Sequence, residues 1–142
     1  MRWTFSLVFG SFVVATVLAP LLASENRAEA AVLYAAFRPF CHQQLERVWS
    51  LAGEPLAVCA RCLGFYWGMV AGGLAAAEFG SRRAVAGAAA VCVASWGLEA
   101  AGVAVLPAAG RFITGLAVGL TVGRAVASGL AKTTLVRPEV VR

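Results

Sequence analysis

The groups best suited to chemistry lie between positions 41 and 62, where three of the four cysteines and the only histidine are found. They read Cys41-His42 and, after a gap, a CxxC motif made by Cys59 and Cys62. A single cysteine usually packs as a small buried hydrophobe. Three thiols beside the only imidazole instead indicate a site that binds a metal or exchanges electrons.

A zinc site is the leading interpretation of this cluster. Cys59 and Cys62 are spaced i, i+3, which places both on one face of a first helical turn, and a CxxC pair is a common half-site for zinc. Cys41 and His42 would add the other two ligands from the preceding segment. Thiolates and an imidazole form a Cys3His set that suits tetrahedral Zn²⁺.

The number of ligands and the nearby polar residues determine whether such a metal would be structural or catalytic. If all four groups bind, the coordination is closed and the metal is structural. If only three bind, an open position beside Gln43, Arg61 and Tyr66 favours catalysis. The guanidiniums of Arg47, Arg61 and Arg111 are suited either to an anionic head group or to ordinary anchoring at the membrane interface.

The same thiols support a different function, that of a membrane thiol-disulfide oxidoreductase. In a redox CxxC pair one thiolate attacks a substrate and the other resolves the mixed disulfide. Cys59 and Cys62 would then cycle through a disulfide, with Cys41 as a third thiol. A third alternative is an accessory subunit of a larger membrane complex. The residues leave these alternatives open, and with them whether the protein is an enzyme.

The composition predicts a membrane protein. Of 142 residues, 61% are hydrophobic and 13% are charged, against roughly a quarter charged in a soluble domain. The mean hydropathy is +0.80. The basic residues lie at the ends of apolar runs and form no patch, so we expect the lipid bilayer as a partner and no nucleic acid.

Four apolar runs approach or exceed the length of about 20 residues that a membrane-spanning helix needs. They cover about residues 3–23, 58–79, 84–106 and 111–131 of a single domain, and a basic tail follows over 132–142. The first run also resembles a signal peptide, but it is long for that role. The predicted fold is an all-α integral membrane bundle of four transmembrane helices.

The connection over residues 25–57 is predicted to be an interfacial helical hairpin between the first and second spans. Residues 25–37 are rich in alanine and predict one helix, which Pro39 should interrupt. A second short helix is expected over residues 40–50, followed by a turn at Gly53-Glu54-Pro55.

Glycines repeat every four residues in two of the predicted spans. They are Gly64, Gly68 and Gly72 in the second span and Gly115, Gly119 and Gly123 in the fourth. Such GxxxG strips let another helix approach closely. They predict helix packing within the chain, against a partner protein or in a homo-oligomer.

Three blocks of residues point to a known family. The first is Cys41-His42-Gln43 followed by Arg47, the second is the run CARCLGFYWG over residues 59–68, and the third is RFITG over 111–115. They resemble an uncharacterised family of prokaryotic integral membrane proteins, domain of unknown function 2085, whose signature is CARCxGxYxG. The resemblance implies a small helical membrane protein with a shared Cys/His site and no established reaction.

Glu99 is an acidic residue inside the predicted third span, where an ionisable side chain is costly and marks either function or a buried pairing. In the case of a buried pairing, Arg111 or Thr114 is its expected partner. The family that the chain resembles has an Asp-Gly pair in this span, where this chain reads Trp96-Gly97-Leu98-Glu99. The resemblance implies that Glu99 stands in for that acid, shifted by about a turn. Cys92, in the same span, is expected to pack.

The distribution of basic residues predicts the orientation. With four spans, both termini and the Arg82-Arg83 turn share one side, which carries slightly more Lys and Arg than the other. We therefore expect cytoplasmic termini in a prokaryotic inner membrane and the Cys/His site on the outer face.

Overall fold

The computed structural model describes residues 2–75 and 82–135, and over these ranges the chain is mostly helical. Helices alternate with one 3₁₀ turn and a two-stranded antiparallel ribbon. In chain order the elements are α1 (Arg2–Ser24), α2 (Glu29–Phe37), the 3₁₀ turn (Leu45–Arg47), β1 (Ser50–Leu51), β2 (Glu54–Pro55), α3 (Ala60–Leu74), α4 (Arg82–Ala100) and α5 (Ala108–Leu135).

Two helices in the described ranges are long and apolar enough to cross a membrane, over Trp3–Ser24 in α1 and Ala108–Gly129 in α5. They correspond to the first and fourth predicted spans. α3 has 15 residues and α4 has 19. Residues 76–79 of the second predicted span and 136–142 of the basic tail lie outside the described residues. The helical fold class is confirmed, while the number of four spans stays a prediction.

The most extensive helix contact joins α3 to α5 through the two glycine strips. A methyl group on Gly64 would collide with the carbonyl of Phe112, and one on Gly115 would collide with the carbonyl of Arg61. The same relation recurs along both helices at Gly68, Gly72, Gly119 and Gly123. The strips therefore face each other within one chain and are occupied by this contact.

The other helices surround this pair. α1 packs against α3, where the Ser6 hydroxyl donates to the Val70 carbonyl at 3.3 Å and the rings of Phe12 and Tyr66 stack with centroids 5.5 Å apart. α4 packs mainly against α5, and Ser95 is its one buried residue. Most of the α4 surface is thus not covered by the other described helices.

The connection between α1 and α3 differs from the predicted helical hairpin. α2 forms, but the second helix expected over residues 40–50 does not, and the chain there makes the 3₁₀ turn and then the ribbon of β1 and β2. Gln43 has a φ of +50°, a left-handed conformation in which a helix does not continue. Ala52 and Gly53 both have positive φ, as a type I′ hairpin turn requires. The second half of the predicted hairpin was therefore wrong.

α4 also ends earlier than the predicted third span. Gly102 has a φ of +70°, its N–H donates to Glu99 O at 3.1 Å, and the Val103 N–H donates to Leu98 O at 3.0 Å. This Schellman-type pattern terminates the helix at Ala100. Glu99 consequently lies in the last turn of α4 instead of deep inside a span.

Candidate metal centre

Three sulfur atoms meet where the segment after α2 approaches the start of α3. Cys41 follows α2, and its N–H donates to the Phe37 carbonyl at 3.0 Å. Cys59 immediately precedes α3 and Cys62 lies in the first turn of that helix. The three Sγ atoms all lie within 4.8 Å of one another. Since tetrahedral Zn–S bonds of about 2.3 Å place sulfurs about 3.8 Å apart, the thiols are close to a metal-binding arrangement.

Gln43 fixes the segment that carries Cys41. Its Nε2 donates to the carbonyls of both Tyr34 and Ala57, each at 2.8 Å, so one amide joins α2 to the residues just before α3. The Tyr34 hydroxyl donates to the Pro55 carbonyl and adds a second link. The side-chain amide of Gln43 thus helps to hold Cys41 beside the CxxC motif.

Cys41 is the thiol that its surroundings favour as an anion. Hydrogen bonds with the thiols of Cys59 and then Cys62 lower the pKa of Cys41, and the N–H of Cys59 adds to this effect from 3.2 Å, while burial opposes it. The thiolate is the form of cysteine that binds metals and attacks electrophiles. Cys41 therefore suits either of the functions predicted for the cluster.

A buried ion network lies at the same end of the bundle. Glu99 accepts from Arg111 Nε at 2.8 Å through Oε1 and from Arg61 Nη2 at 3.2 Å through Oε2. Its Oε1 also accepts the N–H of Leu106 at 3.0 Å. The Glu99 side chain is 3% exposed and that of Arg111 is 6% exposed. Because a buried charge without its partner is strongly unfavourable, this network fixes α3, α4 and α5 relative to one another.

The part of the sequence that contains the three clustered cysteines and the Glu99 network matches a known family. The match is to predicted membrane proteins designated DUF2085 and covers residues 41–124, more than half of the chain. The chain belongs to the DUF2085 family. The matched range contains the three clustered cysteines, the Glu99 network and the facing glycines of α3 and α5.

One curated relative adds to the DUF2085 match. An uncharacterised protein of Methanocaldococcus jannaschii is 45% identical over 40 residues, which are 28% of this chain. The chain matches about a quarter, 26%, of the length of that relative. No solved structure matches the chain.

His42 lies near the three clustered cysteines, but its side chain is not part of the group that their sulfurs form. The residue is exposed, and its ring nitrogens are not among the ligand atoms that lie within 4.8 Å of one another. It lines the same polar cavity as Cys41, Cys59 and Cys62. The role of His42 as a fourth ligand stays a prediction.

The polar residues predicted around the centre take two different positions. Four of them line the polar cavity with the cysteines: Gln43, Arg47, Arg61 and Arg111. Tyr66 instead packs between Phe12 and Phe37, and it lines an apolar cavity on the other side of Cys62.

Sequence reasoning missed the contribution of Arg61 to the Glu99 network. Arg61 also donates to the Ser95 hydroxyl at 3.3 Å, and Ser95 is the buried polar residue of α4. Ser95 and Glu99 are spaced i, i+4 and so share one helix face. That spacing was the available signal that a cation from another helix lies against α4.

Proposed function

We propose that this DUF2085 protein is an integral membrane protein that binds Zn²⁺ through Cys41, Cys59 and Cys62, with His42 as the fourth ligand. The observation that supports it is the convergence of three sulfurs from two chain segments within 4.8 Å. Sulfur and imidazole ligands favour zinc over calcium or magnesium, which prefer oxygen. His42 is exposed and lines the same cavity as the three cysteines, and the proposal requires its ring to turn toward their sulfurs.

The proposed role of the ion is structural. Coordination by four protein groups leaves no open position, which is the pattern of structural zinc sites. Such an ion would tie the segment after α2 to the first turn of α3, in the same place where Gln43 already joins them. Its binding free energy would then add to the folding free energy.

The metal content of the purified protein in detergent tests this proposal. We expect about one zinc per chain, reduced to background in Cys41→Ser, Cys59→Ser and Cys62→Ser because each removes one of a few ligands. Cys92→Ser is the matched control, since Cys92 lies in α4 outside the three-sulfur group, and it should keep its zinc. His42→Ala should bind zinc more weakly through the three remaining thiolates.

Zinc at background level in the wild-type protein, or retained unchanged in Cys59→Ser, would contradict the proposal. A thiol-disulfide oxidoreductase is the second candidate, and the observation that favours it is that the sulfurs of Cys59 and Cys62 lie within 4.8 Å of each other at the start of α3. That function predicts a metal-free sample in which Cys59 and Cys62 form a disulfide. Counting free thiols in the same samples separates the two functions.

We also propose four membrane spans in a prokaryotic inner membrane, with both termini in the cytoplasm and the metal centre on the outer face. Two described helices already have the length and composition of a span, and α3 and α4 would supply the others. The Arg82-Arg83 pair at the start of α4 supports this orientation, because short basic connections stay inside.

Labelling of intact cells with a membrane-impermeant maleimide tests the orientation. Ser50→Cys, in the exposed strand β1, should gain one label relative to the wild-type protein. Glu139→Cys, in the C-terminal tail, should gain a label only after lysis. The reverse pattern would place the centre in the cytoplasm.

A further inference from the structure

Two cavities of opposite character adjoin each other beside the metal centre. One, the polar cavity, has a volume of about 370 Å³ and combines charged and amide side chains with the three clustered cysteines and some apolar groups, and the other has about 500 Å³ and is mainly apolar. Phe40, Arg61 and Cys62 line both of them. Each volume falls within the range of ligand sites, roughly 300–1,000 Å³. The two cavities are therefore adjacent and share part of their walls.

The polar cavity carries an excess of positive charge. Arg47, Arg61 and Arg111 line it, and Glu99 is the buried carboxylate that neutralises part of this charge. A Zn²⁺ ion held by three thiolates would contribute one net negative charge, which still leaves one guanidinium uncompensated. Glu46 lies 3.9 Å from Arg47, but its side chain is 69% exposed, so this pair contributes little.

Arg47 is the guanidinium that remains available for a ligand. Its Nε atom is buried and donates no hydrogen bond within the part of the chain that the structure describes. Leaving a buried charged donor without a partner is unfavourable. A ligand oxygen in the polar cavity would satisfy this donor, and guanidinium prefers the oxygens of phosphate and carboxylate groups.

The apolar cavity lies among the helices that carry the predicted spans. Its walls are the rings of Phe9 and Phe12 from α1, Phe65 from α3, Cys92 from α4 and Val118 from α5. No charged side chain other than that of Arg61 lines it. A surface of this kind within a membrane protein suits a hydrocarbon chain.

We propose that the two cavities form one binding site for an anionic membrane phospholipid. Its phosphate would occupy the polar cavity beside Arg47 and Arg61, and one of its acyl chains would lie between Phe12 and Phe65 in the apolar cavity. The charge of the polar end selects an anionic head group, and the apolar end selects a lipid over a soluble phosphate compound. The lipid contacts proposed here come from guanidinium groups and phenylalanine rings, although the proposed metal ligands also line the polar cavity.

Photocrosslinking of lipids to the protein reconstituted in phosphatidylcholine vesicles tests the proposal. The probes are phosphatidylglycerol and phosphatidylcholine that carry the same diazirine near the end of one acyl chain. We expect phosphatidylglycerol to label peptides of α3 and α5 that line the apolar cavity about tenfold more than phosphatidylcholine, as a charge-assisted hydrogen bond produces.

Two variants test the two ends of the site separately. Arg47→Gln should lower the labelling by phosphatidylglycerol to the level of phosphatidylcholine, whereas Cys92→Trp should fill the apolar cavity and lower the labelling by both lipids. Arg38→Gln is the matched control, since Arg38 is exposed and lines neither cavity, and it should label like the wild type. The zinc content of each variant, measured in parallel, reports on folding and keeps the two proposals distinct.

Equal labelling by the two lipids would overturn the proposal. Labelling spread over the exposed faces of α1 and α5 would overturn it as well, because it would show contact with bulk lipid only. Retention of the phosphatidylglycerol preference in both Arg47→Gln and Arg47→Lys would also overturn the proposal. Gln removes the charge, and Lys keeps the charge without the Nε donor, so neither feature of Arg47 would then be needed.

Discussion

Replacing Glu99 with alanine is expected to lower the free energy of unfolding by about 3–5 kcal/mol, the range for removing one partner of a buried ion pair. Arg111 and Arg61 would lose the carboxylate that they share, and their side chains are only 6% and 16% exposed. The N–H of Leu106 would lose its acceptor as well. The three helices that meet at this network should therefore separate more readily.

Chemical unfolding of the protein in detergent measures this effect, with Glu29→Ala as the matched control. Glu29 pairs with Arg27 at 2.9 Å, a distance like that in the buried network, but the two side chains are 60% and 52% exposed. Its loss should lower the free energy of unfolding by at most about 1 kcal/mol. Equal effects of the two substitutions would show that the Glu99 network does not hold the helices together.

The second large effect is expected from Gly68→Ala in the contact between α3 and α5. The added methyl group would overlap the carbonyl of Leu116 and lie 2.6 Å from the N atom of Leu120, both of which are backbone atoms that cannot turn aside. Overpacking costs typically about 1–3 kcal/mol, and a clash with helix backbone belongs at the upper end of that range. The helices would have to move apart along the whole strip.

Gly87→Ala provides the comparison in another helix. Gly87 lies in α4 with nothing near the position of the added methyl group. Inside a helix, alanine stabilises the helical conformation by up to about 1 kcal/mol relative to glycine. Thermal denaturation in detergent should therefore show a lowered midpoint for Gly68→Ala and an unchanged or raised midpoint for Gly87→Ala. A tolerated alanine at position 68 would mean that α3 and α5 do not approach as closely as described.

The features that the sequence predicted correctly depend on helical periodicity. A repeat of four places Gly64, Gly68 and Gly72 on one face whatever the rest of the chain does, so a close helix contact followed from the spacing alone. The i, i+3 spacing of Cys59 and Cys62 likewise puts both thiols at the start of a helix. The spacing within one helix does not say which other helix packs against it. That the two glycine strips pack against each other is seen only in the structure.

The features that the sequence did not predict depend on single backbone conformations or on distant partners. The positive φ angles of Gln43 and Gly102 end helical continuation at positions where composition favours a helix. Arg61 is far from Glu99 in the chain, so their pairing requires knowledge of how α3 and α4 lie relative to α5. His42 is adjacent to Cys41 and was grouped with it, yet Cys41 is buried with the other sulfurs whereas His42 is exposed and its ring nitrogens are not part of that group.

X-ray absorption at the zinc edge of the purified protein tests the proposed zinc site, because it reports the atoms bound to the metal. We predict three sulfur ligands at about 2.3 Å and one nitrogen ligand at about 2.0–2.1 Å. The His42→Ala variant should lose the nitrogen and keep the three sulfurs. A shell of oxygen and nitrogen without sulfur, or a protein that holds no zinc and has Cys59 joined to Cys62, would contradict it.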